Sequence, residues 1–157
     1  MNEKRISIAI DGPVAAGKTT QAKRLAEALG FLYMDTGALY RTIACYMERH
    51  GKVIADIDEV LASIDLFLER DEKGQQRMFL GMEDVTDCLR TPSISKLASD
   101  ISAVPAVREF LLDMQRAVAK EQNVVMEGRD IGTVVLPDST VKIFLTADAD
   151  IRGFRRW

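Results

Sequence analysis

The sequence predicts an α/β protein in which a mostly parallel sheet lies between helices in three layers. A β-branched run, Ile6 to Ile10, leads through a glycine-containing loop into a helix from Lys18, whose Ala22, Leu25, Ala26 and Leu29 share one face. Two later apolar runs, Asn123 to Met126 and Thr140 to Leu145, are apolar enough to lie centrally in a parallel sheet covered by helices.

The elements follow in order. Gly30 is placed to cap the first helix, and Phe31 to Met34 reads as a short strand. Asp35-Thr36 opens a second helix with Leu39, Ile43, Tyr46 and Met47 on one side, and His50 falls at its solvent end. Asp56 and Glu59 are spaced as a capping box for a helix carrying Ile57, Val60, Leu61, Ile64 and Leu68. Between Glu69 and Leu89 the segments shorten, broken by Asp71-Glu72-Lys73-Gly74 and by Gly81, which predicts an antiparallel hairpin or meander. Helical spacing returns with Ile94, Leu97, Ala98 and Ile101, and again behind Pro105 with Val107, Phe110, Leu111, Met114 and Val118.

Composition narrows the function. With 157 residues and 47% hydrophobic content, the chain has material for one good core, so residues 1–157 are expected to form one domain with a small insert. A net charge of −3 argues against a basic face that tracks nucleic-acid phosphates. Cys45 and Cys88 form no CxxC and His50 is the single histidine, which disfavours a disulfide framework or a Cys/His metal site. Both cysteines read as packed, reduced thiols of a cytoplasmic protein. Met1 to Ile10 is too short an apolar pattern for a signal sequence, and no apolar run reaches membrane-spanning length.

The chemistry begins at Gly12-Pro13-Val14-Ala15-Ala16-Gly17-Lys18-Thr19, which satisfies GxxxxGK[ST] between a predicted strand and a predicted helix. A backbone that curls around a polyphosphate must turn its N–H groups inward; Gly12 and Gly17 permit the approach, and the helix starting at Lys18 adds partial positive charge. This P-loop predicts ATP binding over Gly12 to Thr20. Lys18 is expected to reach the β- and γ-phosphates, Thr19 to offer its hydroxyl to Mg²⁺, and Thr20 to contact the α-phosphate.

A P-loop alone does not separate a kinase from a switch or an assembly ATPase, so the acceptor side decides. Asp35-Thr36-Gly37-Ala38-Leu39-Tyr40-Arg41 sets a hydroxyl and a guanidinium about one and a half turns apart at a helix start, a cradle for an anion, or more plainly an N-cap and a surface arginine. Glu127-Gly128-Arg129-Asp130-Ile131-Gly132-Thr133 follows a predicted buried strand, where open α/β sheets hold ligands.

These motifs, with LRTPSIS to VPAVR and EGRDIGTVVLPD, resemble those of the bacterial-type cytidylate kinases in the same order, over nearly the whole chain. The resemblance implies a nucleoside monophosphate kinase with a three-layer core and an acceptor-binding insert near residues 64–91. It places acceptor contacts on Thr36, Arg41, Ser99, Arg108, Arg129 and Asp130. A carboxylate from Asp130 facing the cytosine N4 amino group, with Ser99 and Arg108 on the other groups, would favour CMP and dCMP over UMP. Lys18, Arg129, Arg152 and Arg155 would offset the charge of two approaching anions. Arg152, Arg155 and Arg156 look like the start of a lid interrupted by Gly153, and the resemblance implies further lid and tail residues beyond Trp157. The expected molecule is a monomer using ATP, CMP or dCMP, and Mg²⁺. Two alternatives stand beside it: a small-alcohol kinase of shikimate or gluconate kinase type, with Asp35 or Asp130 as the carboxylate beside the hydroxyl, and a nucleotide switch with no acceptor.

Overall fold

The computed structural model describes residues 3–156; Met1, Asn2 and Trp157 lie outside the described residues. The chain divides into two compact units, Met1–Asp35 with Gln115–Trp157, and Thr36–Met114.

The first unit is built on a four-stranded parallel sheet in the order β2-β6-β1-β7. Its strands are β1 (Ser7–Asp11), β2 (Leu32–Asp35), β6 (Val124–Gly128) and β7 (Val141–Phe144). Helix α1 (Lys18–Leu29) packs Ala22 and Ala26 against Ile8, Ile10 and Val125, with Leu25, Phe31, Tyr33 and Leu145 closing the cluster. Gly30 ends α1 in the left-handed conformation at φ 65°, its N–H on the carbonyls of Ala26 and Glu27. The expected architecture of helices on a mostly parallel sheet is therefore present.

One strand expectation fails. The run from Thr140 to Leu145 forms β7, but β7 is an edge strand rather than a central one, and all four of its residues are exposed. Among the described residues its only partner strand is β1, so its apolar side chains, Phe144 above all at 73% exposed, are left uncovered. Helix α6 (Ala149–Arg156) likewise has no buried residue, and Gly153 is carried within it.

The second unit sets α2 (Thr36–Arg49) along α4 (Pro92–Ile101) and against the meander β3 (Leu66–Arg70), β4 (Gln76–Leu80) and β5 (Glu83–Asp84). The antiparallel register pairs Leu66 with Leu80 and Arg70 with Gln76. Leu39, Ile43 and Met47 of α2, Met78 of β4 and Ile101 of α4 are fully buried. Thr91 caps α4 by accepting from the Ile94 N–H at 3.2 Å, and Pro105 opens α5 (Pro105–Glu121) as its first residue.

Helix α3 (Ile57–Ser63) corrects two readings. It stops at Ser63, because Ile64 turns extended at ψ 130°, and Leu68 belongs to β3. The Asp56–Glu59 capping box does not form: Asp56 turns back to accept from the Val53 N–H at 2.9 Å, and Glu59 accepts from Lys52 at 2.7 Å. Cys45 is buried as expected, but Cys88 is exposed, at the end of a 3₁₀ turn (Thr86–Cys88). His50 does lie exposed just past α2, stacked on Tyr46 with ring centroids 4.1 Å apart. No helix among the described residues is long and apolar enough to cross a membrane.

Because Leu39 is wholly buried in the second unit, Leu39→Ala should lower unfolding free energy by about 2–5 kcal/mol, read from urea titration.

Candidate active site

The site in the first unit follows from strand register. β1 and β6 pair so that Asp11 faces Gly128, and the loops after both strands therefore leave the sheet at the same level. The loop after β1 is the P-loop. Gly12 takes φ 152°, Ala15 φ 60° and Gly17 φ 94°, positive-φ backbone of the kind from which anion-binding concavities are built. At Gly12 a side chain would also run into the Leu145 carbonyl, so only glycine fits. Gly17 caps α1 without a side-chain hydrogen bond, and the first turn of α1 carries no acidic residue. Its N-terminal dipole is thus left for an anion.

Lys18 lies over this loop, its Nζ donating to the Pro13 carbonyl at 2.8 Å. Burial holds its pKa below the ordinary lysine range; Glu127 offsets part of that shift, Arg129 adds to it, and Asp11 and Asp35 oppose it. The arrangement collects acidic and basic side chains from the ends of β1, β2 and β6 around one lysine.

Glu127 is 4% exposed and is the next-to-last residue of a strand otherwise without polar side chains. Its Oε1 accepts from the Thr19 hydroxyl and from the Tyr33 hydroxyl, each at 2.7 Å. Burial pushes the Glu127 carboxyl above the usual range, and the two hydroxyl donors pull it part of the way back. Burial, with Asp35 and Glu127 nearby, pushes Tyr33 upward, so Tyr33 remains a donor. Lys23 lies 5.5 Å from the Tyr33 ring centroid and covers that face. A hydroxyl and a carboxylate held side by side are hard oxygen donors, and they fit Mg²⁺, which takes one or two protein ligands and completes its shell with water and phosphate.

The loop after β6 carries the exposed Arg129 and the half-buried Asp130 into a π-type turn, Ile131–Val135. The turn is fixed by Val134 N–H to Asp130 carbonyl at 2.9 Å and Leu136 N–H to Ile131 carbonyl at 2.7 Å.

The remaining predicted residues are distributed as follows. Arg155, on α6, donates to the Ala15 carbonyl at 3.3 Å and so reaches the P-loop, whereas Arg152 donates to the Ala147 carbonyl at 3.1 Å and braces the start of its own helix. Pro13, Val14, Ala16 and Thr20 occupy the loop and first turn as expected. In the second unit, Thr36 is buried at the first position of α2 and Arg41 is half-buried just over a turn later. Ser99 and Arg108 meet through Ser102: Arg108 donates to the Ser102 carbonyl at 3.3 Å, and the Ser102 hydroxyl donates to the Ser99 carbonyl at 2.7 Å. Tyr33, Asp11 and Arg116 were not singled out from sequence; a charge closing a β-branched strand was the visible sign of Asp11.

A parallel strand, a glycine loop with positive-φ turns, a lysine at a helix start and a hydroxyl beside a carboxylate define a P-loop nucleotide-binding protein. Comparison with known proteins narrows the class. Residues 8–157 match the family model described as cytidylate kinase. The chain is 52% identical over 153 residues to the cytidylate kinase of Pelotomaculum thermopropionicum, covering 96% of this chain and 68% of that protein. It is 45% identical over 157 residues to that of Streptococcus gordonii and 46% to that of Caldicellulosiruptor bescii, covering 98% of this chain and 70% and 69% of those proteins. The chain belongs to the cytidylate kinase family. A shikimate kinase structure from Bacteroides thetaiotaomicron superposes with TM-score 0.46 at 19% identity, covering 96% of this chain and 62% of that one, a likeness too distant to bear on the acceptor.

A carboxyl whose folded pKa is raised holds its proton to higher pH in the folded state than in the unfolded state. Its contribution to stability is full below the unfolded glutamate pKa, about 4.3, and is lost as pH rises through the folded value. Replacing it by Glu127→Gln should flatten this part of the stability curve and leave the variant no less stable than wild type at neutral pH; urea midpoints measured across that window check it.

Proposed function

We propose that this chain transfers the γ-phosphoryl group of ATP to the 5′-phosphate of CMP or dCMP, giving CDP or dCDP. The observation that carries the reading is the level exit of two loops from paired strands: the P-loop after Asp11 and the Arg129-Asp130 loop after Gly128. One suits a polyphosphate and the other a second anion bearing a base, and membership of the cytidylate kinase family supports the same pairing of substrates.

In this reading the N–H groups from Gly12 to Thr20 hold the ATP phosphates, and Lys18 swings from the Pro13 carbonyl onto the β- and γ-phosphates. Mg²⁺ arriving with ATP would be held by Thr19, beside Glu127, and would supply charge neutralisation for the phosphates. Glu127 keeps the Thr19 hydroxyl in one orientation, and Tyr33 does the same for Glu127. An oxygen of the acceptor phosphate attacks the γ-phosphorus in line as the bond to the β-phosphate oxygen breaks. Lys18, Arg129, Arg152 and Arg155 offset the charge that the two substrates bring together. No general base is required, since a phosphate with second pKa of about 6 is already ionised at neutral pH.

Base choice is assigned to each unit separately. In the first, Asp130 faces the N4 amino group of cytosine while Arg129 holds phosphate. Thr36, Arg41, Ser99 and Arg108, in the second unit, are assigned to the acceptor by the family resemblance alone. Uracil would set an O4 acceptor against the Asp130 carboxylate and leave it without a donor. The reading carries with it a monomer working in the cytoplasm.

A coupled ADP-release assay with MgATP and CMP, dCMP, UMP, AMP or shikimate tests it. CMP or dCMP should lead, and Asp130→Ala should lower the CMP-over-UMP preference at least about tenfold. Turnover with shikimate alone, or hydrolysis indifferent to acceptor, would sink the assignment.

A further inference from the structure

The loop that carries Arg129 and Asp130 is held on both sides by charged side chains that the proposed reaction does not bring onto either substrate. At its start, the buried Asp11 carboxylate accepts from the Ile131 N–H through Oδ1 and from the Gly132 N–H through Oδ2, each at 2.8 Å. At its end, the Arg116 guanidinium donates through Nε to the Val135 carbonyl at 2.9 Å and through Nη2 to the Val134 carbonyl at 3.0 Å. An anion meets the free N–H groups of the turn and a cation meets its free carbonyls, the sense that the turn's own dipole favours. Gly132 is held close: a side chain there would come to 3.3 Å from Asp11 Oδ2 and 3.2 Å from Lys142 Cγ.

Asp11 is also the last residue of β1, immediately before the P-loop. Its backbone is fixed by pairing with Gly128 and Phe144, and its carbonyl accepts from the Leu145 N–H at 2.7 Å. We propose that Asp11 and Arg116 are positioning residues that lock the Arg129-Asp130 loop to the level of the P-loop and thereby set the acceptor's base selectivity. The inference rests on the CMP reading for what the loop selects, but the clamp itself is geometric.

Asn at position 11 keeps one acceptor and turns an N–H₂ donor on the other backbone N–H, so one buried N–H loses its partner. Gln at position 116 removes the paired guanidinium donors. Arg116→Gln touches neither the P-loop nor Lys18, so its effect is expected on the acceptor rather than on ATP, whereas Asp11→Asn also removes a charge that bears on Lys18.

The test compares the full chain with Asp11→Asn, Arg116→Gln, Arg116→Lys and the double variant Asp11→Asn/Arg116→Gln, each first checked for a cooperative thermal transition. Initial rates with ATP, CMP and UMP should show KM for CMP raised about tenfold and the CMP-over-UMP ratio of kcat/KM lowered about tenfold in every variant but Arg116→Lys, with KM for ATP within about twofold in the variants changed only at Arg116. Arg116→Lys should recover part of the loss, and the double variant should lose less than the product of the two singles, because both act through one loop. Amide exchange read by mass spectrometry should speed up over residues 129–136 and stay unchanged in β1 and β6. Folded variants with unaltered loop exchange, or an Arg116→Gln variant with ATP and CMP constants disturbed equally, overturn the clamp. Wild-type protein inert toward CMP, with loop exchange still released by Asp11→Asn, would instead overturn the CMP reading and uphold the clamp.

Discussion

The first unit depends on the parallel pairing of β1 with β6. Ile8, Ala9 and Ile10 of β1 and Val124, Val125 and Met126 of β6 are buried, so both faces of this central pair are covered, with Ile8 set beside Val125. That register also decides where chemistry happens. With Asp11 opposite Gly128, the glycines that follow or close the two strands release both loops together, and the charged residues beyond them are delivered to one edge of the sheet.

Charge in this region is held in a poorly solvated setting, which strengthens each interaction and raises the cost of leaving any group unmatched. Lys18 is depressed by burial and Glu127 is elevated by it, and each partly restores the other. Tyr33 and Thr19 converge on the same carboxylate oxygen, so the orientation of the Thr19 hydroxyl is set by a chain of contacts rather than by its own rotamer preference. In the proposed reading such a network would present the Thr19 hydroxyl to Mg²⁺ without a dedicated metal cage.

Most of the parallel core was legible from sequence, since β1, α1 and β6 announce themselves through strand and helix periods and a spaced glycine motif. What misled was local chemistry that looked the same in two settings. Asp56 and Glu59 have the spacing of a capping box, yet Lys52 and the Val53 N–H compete for their carboxylates and win. Leu68 continues a helical spacing but lies beyond the turn at Ile64, where strand pairing takes over. β7 has the apolar content of a central strand, and composition alone does not tell a strand with one neighbour from a strand with two. The P-loop residues were readable because a motif fixes them. Asp11, Tyr33 and Arg116 were not, because their importance comes from partners more than 80 positions away in two cases, and for Arg116 from a turn on a different element.

The contrast between the two cysteines gives the chain a built-in handle for spectroscopy. Cys45 is buried in α2 and burial raises its pKa, so little nucleophilic thiolate is available there, while Cys88 sits in the open on its 3₁₀ turn. A maleimide dye under mild conditions therefore attaches to one position of the unmutated protein, beside the meander of the second unit. That single fluorophore turns the unit from Thr36 to Met114 into its own reporter, readable in real time as substrates are added.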